Sequence, residues 1–336
     1  MKDLYKINLQ LFAGELNTNT TLSEGLSAEN KTFYDMTLID EAQANLVHDQ
    51  FAQKRPIPKN GGKKIEFRKF ASLPKALTPL TEGVTPDGKS LSVSTIEAEV
   101  AQYGDYIVQS DVLELTSIDN TIVEATKILG RQAGLTLDTI TRNVLQSGTN
   151  VFYAPKADGT AVTSRSGLDN TCKLTVDLVN RVVAFLKKNN APKINGDYIA
   201  IIHPYVAYDL MADERWIDAH KYATPENIYN GELGKIGGVR FIESSEAKVY
   251  EGGVFGCLFL ADGAYGVTEI TCGGLETIIK QKGSAGTADP LNQRSSIGWK
   301  AIKTAEILVE MYMARVECKS ALSEDFPAAD KDLEAN

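Results

Sequence analysis

The sequence predicts an α+β chain in which one very long helix separates an extended β-hairpin from an alternating α/β segment. Three observations predict it. Between residues 117 and 147, Ile118, Ile122, Ala125, Leu129, Ala133, Leu137, Ile140 and Val144 recur every three or four positions, which is one helical stripe. Residues 63–109 read as two strands around a stretch, 71–102, that holds no aromatic residue although 8% of the chain is aromatic. After residue 172, buried-type apolar runs alternate with amphipathic helical ones.

Bulk composition narrows the function. The chain has 336 residues, 43% hydrophobic and 24% charged, enough for two cores. No apolar run reaches membrane-spanning length. The patch Leu9, Leu11, Phe12, Ala13 is too short, and too interrupted by polar residues, for a secretory signal. A net charge of −9 argues against a protein that grips nucleic acid by its phosphates. Cys172, Cys257, Cys272 and Cys318 lie far apart without C-x-x-C spacing and are expected as buried free thiols.

Taken in order, residues 1–35 are polar and weakly periodic, an extended arm. A first helix is expected over 37–53, with Leu38, Ile39, Ala42, Leu46 and Phe51 on its apolar face and Arg55-Pro56 at its end. Residues 63–70 alternate, with Ile65 and Phe67 on one side. Pro74, Pro79, Pro86 and Asp87-Gly88 then punctuate the chain, and 90–108 alternates again through Leu91, Val93, Thr95, Glu97 and Glu99. A long hairpin with so little to bury is marginal alone and is expected to lie on another molecule.

The long helix would span roughly 40 Å. Thr121 and Glu124 form a capping box, and Gly148 marks its stop. Asp138 and Arg142, one turn apart with the acid first, are placed on its outer face. Gly130 and Gly134 each cost about 1 kcal/mol relative to Ala inside a helix. They mark either the close approach of a neighbouring backbone or a bend, and the two are compatible.

Residues 148–172 are turn-rich. An amphipathic helix follows over 175–189, with Leu178, Val179, Val182, Val183 and Leu186 inward and Lys187 and Lys188 at its C-terminus. Residues 198–203 form a fully buried strand, and Pro204 opens a helix running to Met211. Strands at 239–242, 254–261 and 275–280 complete a second domain with a mainly buried sheet. Residues 213–234 form a polar loop holding Trp216, Tyr222 and Tyr229, which serve as interface anchors or as a local minicore. Beyond a small-residue linker at 283–289, residues 296–318 return to β character. Ile307, Val309, Met311 and Met313 alternate there, although the partly apolar opposite face leaves a helix open. The tail from 323 is acidic.

Chemistry is sparse. His48, His203 and His220 lack metal-ligand spacing, and His203, between a buried strand and Pro204, reads as structural. No nucleophile elbow, phosphate loop or dinucleotide fingerprint occurs, and Gly234, Gly237 and Gly238 read as a turn. Asp209, Asp213, Glu214 and Asp218 fit a solvated helix face better than a general acid–base pair. No catalytic residue, cofactor or metal is expected.

The order of parts, together with NLQLFAG (8–14), LDTITRNVLQSGT (137–149), YIAIIHPYVAYDLMAD (198–213), IGGVRFIES (236–244) and DPLNQRSSIGWK (289–300), resembles the major capsid proteins of tailed bacteriophages. The likeness is to the N-four-type coat protein family with the Hong Kong-ninety-seven-type fold, and it covers almost the whole chain. It implies an N-terminal arm and first helix at 1–54, an extension loop at 55–110 and a peripheral domain at 111–172 with a spine helix at 117–147. It further implies an axial domain at 173–288, return strands at 289–320 and an acidic tail at 321–336. Hexamers and pentamers of the chain would form an icosahedral head around double-stranded DNA, assembled in the host cytoplasm and carried in the virion. A separate scaffolding protein, a portal and in some cases a cement protein would be its partners. Contact residues would be Leu11 and Phe12 in the arm, Lys75, Leu77, Leu80, Leu91 and Val93 in the hairpin, and Trp216, Tyr222 and Tyr229 near the symmetry axes. Gly130 and Gly134 would serve as a hinge. Some members weld subunits through Lys–Asn bonds; Lys75 or Lys89 sits near the hairpin tip, but no partner is visible and no weld is expected. An encapsulin-like shell around a cargo enzyme is the first rival. A soluble α/β enzyme is the second, and it accounts badly for the hairpin and the long helix. A tail or adhesion protein would show repeats, which are absent.

Overall fold

A computed structural model describes residues 38, 41–42, 46–56, 63–70, 73–116 except 74, 81, 84, 86 and 87, 121–221, 234–268, 275–284 and 289–323. The strands are β1 (Gln53–Arg55), β2 (Lys64–Phe70), β3 (Val93–Glu99), β4 (Ala101–Ser110), β5 (Val151–Tyr153), β6 (Tyr198–Ile202), β7 (Lys235–Ile236), β8 (Val239–Glu243), β9 (Val249–Tyr250), β10 (Val254–Leu260), β11 (Tyr265–Thr268), β12 (Leu275–Lys280), β13 (Arg294–Lys303), β14 (Ala305–Ile307) and β15 (Met313–Cys318). They form a seven-stranded sheet in the order β5-β15-β10-β6-β8-β7 with β9 on β10, two three-stranded sheets, β1-β11-β14 and β12-β13-β4, and the hairpin β2-β3.

The long helix runs Thr121–Leu145, 25 residues without a break. Thr121 is its first helical residue, and the position before it lies outside the described residues. Ala125, Leu129, Ala133 and Leu137 pack on Ile297, Trp299 and Ala301 of β13, and Leu38, Ala42 and Leu46 close the same core from the N-terminal side. Each buried Leu contributes about 1.5–3 kcal/mol, which outweighs the glycine cost. Gly130 has a packing reason: a Cβ on it would lie 2.9 Å from Glu41 Cβ and 3.0 Å from the Leu38 carbonyl. Gly134 is buried as well.

The first helix is shorter than the sequence suggests. Leu38, Glu41 and Ala42 are helical, but residues 47–50 form turns and β1 begins at Gln53. The reason is polar. His48 and Asp49 are drawn inward to groups on other elements, and no continuous helix would point both that way. The His48 N–H donates to Asp138 Oδ1 at 2.7 Å, and its Nδ1 lies 2.6 Å from Oδ2. Asp49 accepts from Thr141 Oγ1 at 2.6 Å and pairs with Lys303, while Tyr265 donates its hydroxyl to the His48 carbonyl. All six residues are buried. Burial pushes the Lys303 ammonium down against the pull of Asp49, and burial pushes the Tyr265 phenol well up. Asp138 and Arg142 are thus not on an outer face. Arg142 is also buried and donates from Nη1 to the Glu246 carbonyl at 2.7 Å.

The expected second hairpin strand divides at Val100. β3 pairs antiparallel with β2 from Val93↔Phe70 to Glu99↔Lys64, whereas β4 turns away and pairs with β13 along all ten of its residues. Glycines on both strands permit this. A Cβ on Gly298 would meet Tyr106 Cβ at 2.7 Å, and one on Gly104 would meet the Trp299 carbonyl at 2.6 Å.

The seven-stranded sheet is buried on both faces. Tyr198, Ala200 and Ile202 enter one core with the helix Val176–Lys188, and Ile199 and Ile201 enter a second with Leu145, Tyr265 and Met313. Two strands change sheets relative to expectation. β12 alternates buried and exposed residues, as a one-sided sheet requires, and pairs with β13. β15 is buried at five of its six positions and inserts between β5 and β10. A 3-10 turn at Glu310–Tyr312 interrupts the alternation through Met311.

Caps set the helix starts. Thr175 accepts from Leu178 N and Asp213 Oδ2 from Val176 N, at 3.4 and 2.9 Å. His203 precedes the helix Pro204–Met211 and its Nδ1 accepts from Tyr205 N at 3.2 Å. Gly237 and Gly238, both at positive φ, make the two-residue turn between β7 and β8.

Three outcomes follow. Lys303→Met, which strands the buried Asp49 carboxylate, destabilises the unassembled chain by about 3–5 kcal/mol, and adding Asp49→Asn recovers part of that loss in denaturant titration. Burial holds the His203 imidazole down at about 4 against an ordinary 6.5. The unfolded chain therefore takes up this proton first, so the His203 contribution is complete above pH 6.5 and is lost as pH falls toward 4. His203→Asn, which keeps a capping acceptor, reduces the drop in melting temperature between pH 7 and pH 5. Gly130→Ala destabilises the chain despite its better helix propensity, because the methyl meets the 38–41 segment; a gain in stability would contradict the packing role.

Candidate assembly surfaces

The hairpin has a buried root and an exposed limb. Ile65, Phe67 and Ala98 are buried at the root, packed with Ile96, Val100 and Leu308. At the far end of the ladder and beyond it the apolar side chains face solvent: Leu77 is 82% exposed and Leu80 77%, and Leu73, Leu91 and the terminal ladder residue Val93 are exposed as well. Lys75 and Lys89 are exposed on the same limb. Thus Lys75, Leu77, Leu80, Leu91 and Val93, singled out in the sequence, lie together on one projecting element. A limb with this much apolar surface gains nothing from its own core.

A second apolar surface was not legible beforehand. β4 runs directly into a short helix, Asp111–Thr116, capped where Ser110 Oγ accepts from Leu113 N at 3.3 Å. Val112, Leu113 and Leu115 on it are exposed, as are Tyr106 and Val108 of β4 and Ile128 and Leu135 of the long helix. Ser110-Asp111 before an apolar run is the signal that could have revealed this helix. On the outer face of the β12-β13-β4 sheet, a groove of about 550 Å³ is lined by Gly104, Tyr106, Ile278, Lys280, Gly298 and Lys300 among others.

Several sequence candidates move. Trp216 is no surface anchor. It sits in the helix Glu214–Lys221, 5% exposed, edge-on to Phe241 with ring centroids 5.5 Å apart. The wide apolar face of β8 supplies the cover that its polar sequence neighbours do not. Leu11, Phe12, Tyr222 and Tyr229 lie outside the described residues. The acidic cluster is split. Asp209 is buried, accepting from Ala321 N at 3.0 Å beside Lys173 Nζ at 3.5 Å, and Asp213 caps a helix, which leaves Glu214 and Asp218 on a solvated face.

Among the described residues, no group of His, Cys, Asp and Glu is placed to hold a metal ion, and no helix is long and apolar enough to cross a membrane. Cys172, Cys257 and Cys318 are buried free thiols. Cys257 and Cys318 stand 3.9 Å apart, and that contact together with burial pushes the Cys318 thiol well up, which keeps it unreactive. Cys272 lies outside the described residues. A separate ionic cluster ties the 148–172 segment to the main sheet. Arg165 grips the buried Glu317 through two bonds of 2.6 and 2.8 Å while its guanidinium lies over the Tyr250 ring at 3.5 Å.

Comparison with known proteins places the fold among capsid structures. The chain resembles the capsid structure of cyanophage P-SCSP1u with a TM-score of 0.63 at 14% identity, over 80% of this chain and 87% of that one. It resembles the capsid of cyanophage Pam1 with a TM-score of 0.63 at 12% identity, over 84% and 92%. The encapsulin SrpI complex from Synechococcus elongatus also matches, with a TM-score of 0.51 at 11% identity over 81% and 86%. No curated protein matches by sequence. At these identities the structural matches establish fold alone. The sequence model of the phage capsid protein family matches residues 93–314, about two thirds of the chain, and the chain therefore belongs to the phage capsid protein family, as a structural protein of the virion shell.

Proposed function

We propose that the chain is a major capsid protein of the Hong Kong-ninety-seven type, and that its hexamers and pentamers tile an icosahedral head around double-stranded DNA. The observation that carries this reading is the hairpin limb. Leu73, Leu77, Leu80, Leu91 and Val93 are exposed on an element whose root is packed into the body. Closed shells need heterologous contacts, in which one patch of a protomer meets a different patch of the next. The limb supplies the first patch. The apolar face around Val112, Leu113, Leu115 and Val108 suits the second. Each contact is modest, and a protomer makes several at once, so the assembly gains by multivalency.

The net charge of −9 suits a wall that confines DNA without gripping it sequence-specifically. A separate scaffolding protein, a portal and a cement protein are the partners of this reading, with assembly in the host cytoplasm. Tyr222 and Tyr229 remain candidates for contacts near the symmetry axes, and Leu11 and Phe12 for the arm. Hinge motion at Gly130 and Gly134 must be tested by measuring the shape of the helix in assembled particles, because Gly130→Ala disturbs packing as well as flexibility. The resemblance to an encapsulin favours a second reading, a shell around a cargo protein, at lower structural similarity.

The test is electron microscopy of the purified chain after size-exclusion chromatography, with and without a co-expressed scaffold. Closed shells or rings are expected. In the triple variant Leu77→Ser, Leu80→Ser, Leu91→Ser, shells are lost while the melting temperature of the protomer shifts little, since exposed positions change stability by about 0.5 kcal/mol or less each. Normal shells from that variant would refute the role of the limb. DNA in particles from infected cells supports the head; a single co-purifying enzyme in its place supports the cargo shell.

A further inference from the structure

β3 joins the body through Val100 and β4, and the apolar side-chain contact between the hairpin and the body is small. Among the described residues the root cluster holds a single body side chain, Leu308; its largest member is Phe67, 1% exposed. Phe67 lies flat against Gly266. A Cβ on that glycine would stand 2.3 Å from Phe67 Cε1 and 2.8 Å from Cδ1 and Cζ. Gly266 does not have positive φ, so its backbone does not demand glycine. The missing side chain makes room for the ring.

Gly266 also occupies the centre of the small sheet. It is paired with Gln53 of β1 on one side and Glu306 of β14 on the other. Its neighbour Tyr265 points to the opposite face, where its hydroxyl reaches the His48 carbonyl inside the buried polar junction. The seat therefore belongs to a strand paired on both sides and tied to the buried polar junction, while the limb that leaves it is exposed. Counted from Phe67 to Leu80, the limb reaches at most roughly 40 Å, so a rotation of ~10° at the root swings its tip by ~7 Å. That displacement exceeds the width of a leucine contact.

We propose that Phe67 seated on Gly266 is the positioning contact that aims the hairpin at the neighbouring protomer. The proposal rests on the reading that the limb docks on a neighbour. Its role is distinct from adding stability: β3 is tethered through Val100 to β4, and the seat fixes the direction in which β2 and the exposed limb leave that tether.

The experiment uses the full chain, with spin labels at Lys75→Cys on the limb and Lys187→Cys on the body, in a Cys272→Ser background. Lys187 is exposed, and Cys172, Cys257 and Cys318 are buried from the label. The parent gives one narrow distance distribution. Gly266→Ala, which fills the seat, shifts or broadens it by several ångström, and Phe67→Leu added to Gly266→Ala restores it, with the melting temperature of each variant recorded alongside. If Gly266→Ala does not fold, Phe67→Ala empties the seat without adding an atom and broadens the same distribution. A broad parent distribution, an unchanged one in Gly266→Ala or Phe67→Ala, or a failed rescue overturns the proposal. Shell formation separates the two ideas: assembly that follows the distance distribution upholds both, and assembly indifferent to a displaced limb removes the docking reading while the seat stands.

Discussion

Asp49 is the point on which the body of this protein closes. Its carboxylate accepts from Thr141 of the long helix and pairs with Lys303 at the end of β13, and the adjacent His48 is bonded to Asp138 and Tyr265. Four separate parts of the chain meet within one buried cluster. A buried charge is costly unless paired, and the cost of leaving one unpaired is larger than the net worth of the pair. Such a cluster tolerates few alternatives, so it sets where the N-terminal segment lies along the helix. It also explains why residues 47–50 form turns where the sequence suggests helix: the polar contacts need two consecutive side chains aimed into the body.

Around that junction the apolar cores are conventional, and both faces of the seven-stranded sheet are covered from within the chain. The exception is what projects from the body. The hairpin limb and the surface around Val112 and Leu115 expose apolar side chains that no part of the same chain covers among the described residues. In an isolated monomer this would invite aggregation. Under the proposed reading it is the reserve of burial that assembly would draw on, leaving a protomer stable enough to fold and incomplete enough to associate. The seat of Phe67 on Gly266 joins these two regimes, with a rigid small sheet on one side and a long lever on the other.

The long helix, the buried strand at Tyr198, the Pro204 helix start, the amphipathic helix after Thr175 and the glycine turn before β8 were legible because each depends on residues within a few positions of one another. Failures came where a distant residue decided the outcome. Asp138 and Arg142 have the spacing of a surface ion pair, yet His48, ninety positions away in sequence, claims Asp138. Trp216 sits among polar neighbours and is covered by Phe241. The strand after residue 90 reads as one alternating run, and only β13, with Gly298 opposite Tyr106, divides it between two sheets.

By itself the sequence determined that one long helix with a single apolar stripe separates a hairpin from alternating α/β segments, and that the far limb of this hairpin has little to bury at home. Periodicity, caps and composition are local properties and survive without a fold. Only the tertiary structure decided which sheet each strand joins, that β12 and β15 exchange their expected places, which polar groups go inside, and that Gly266 makes room for Phe67. Those choices depend on complementarity between surfaces far apart in the chain: a burial pattern states that a face must be covered, and geometry alone states by what.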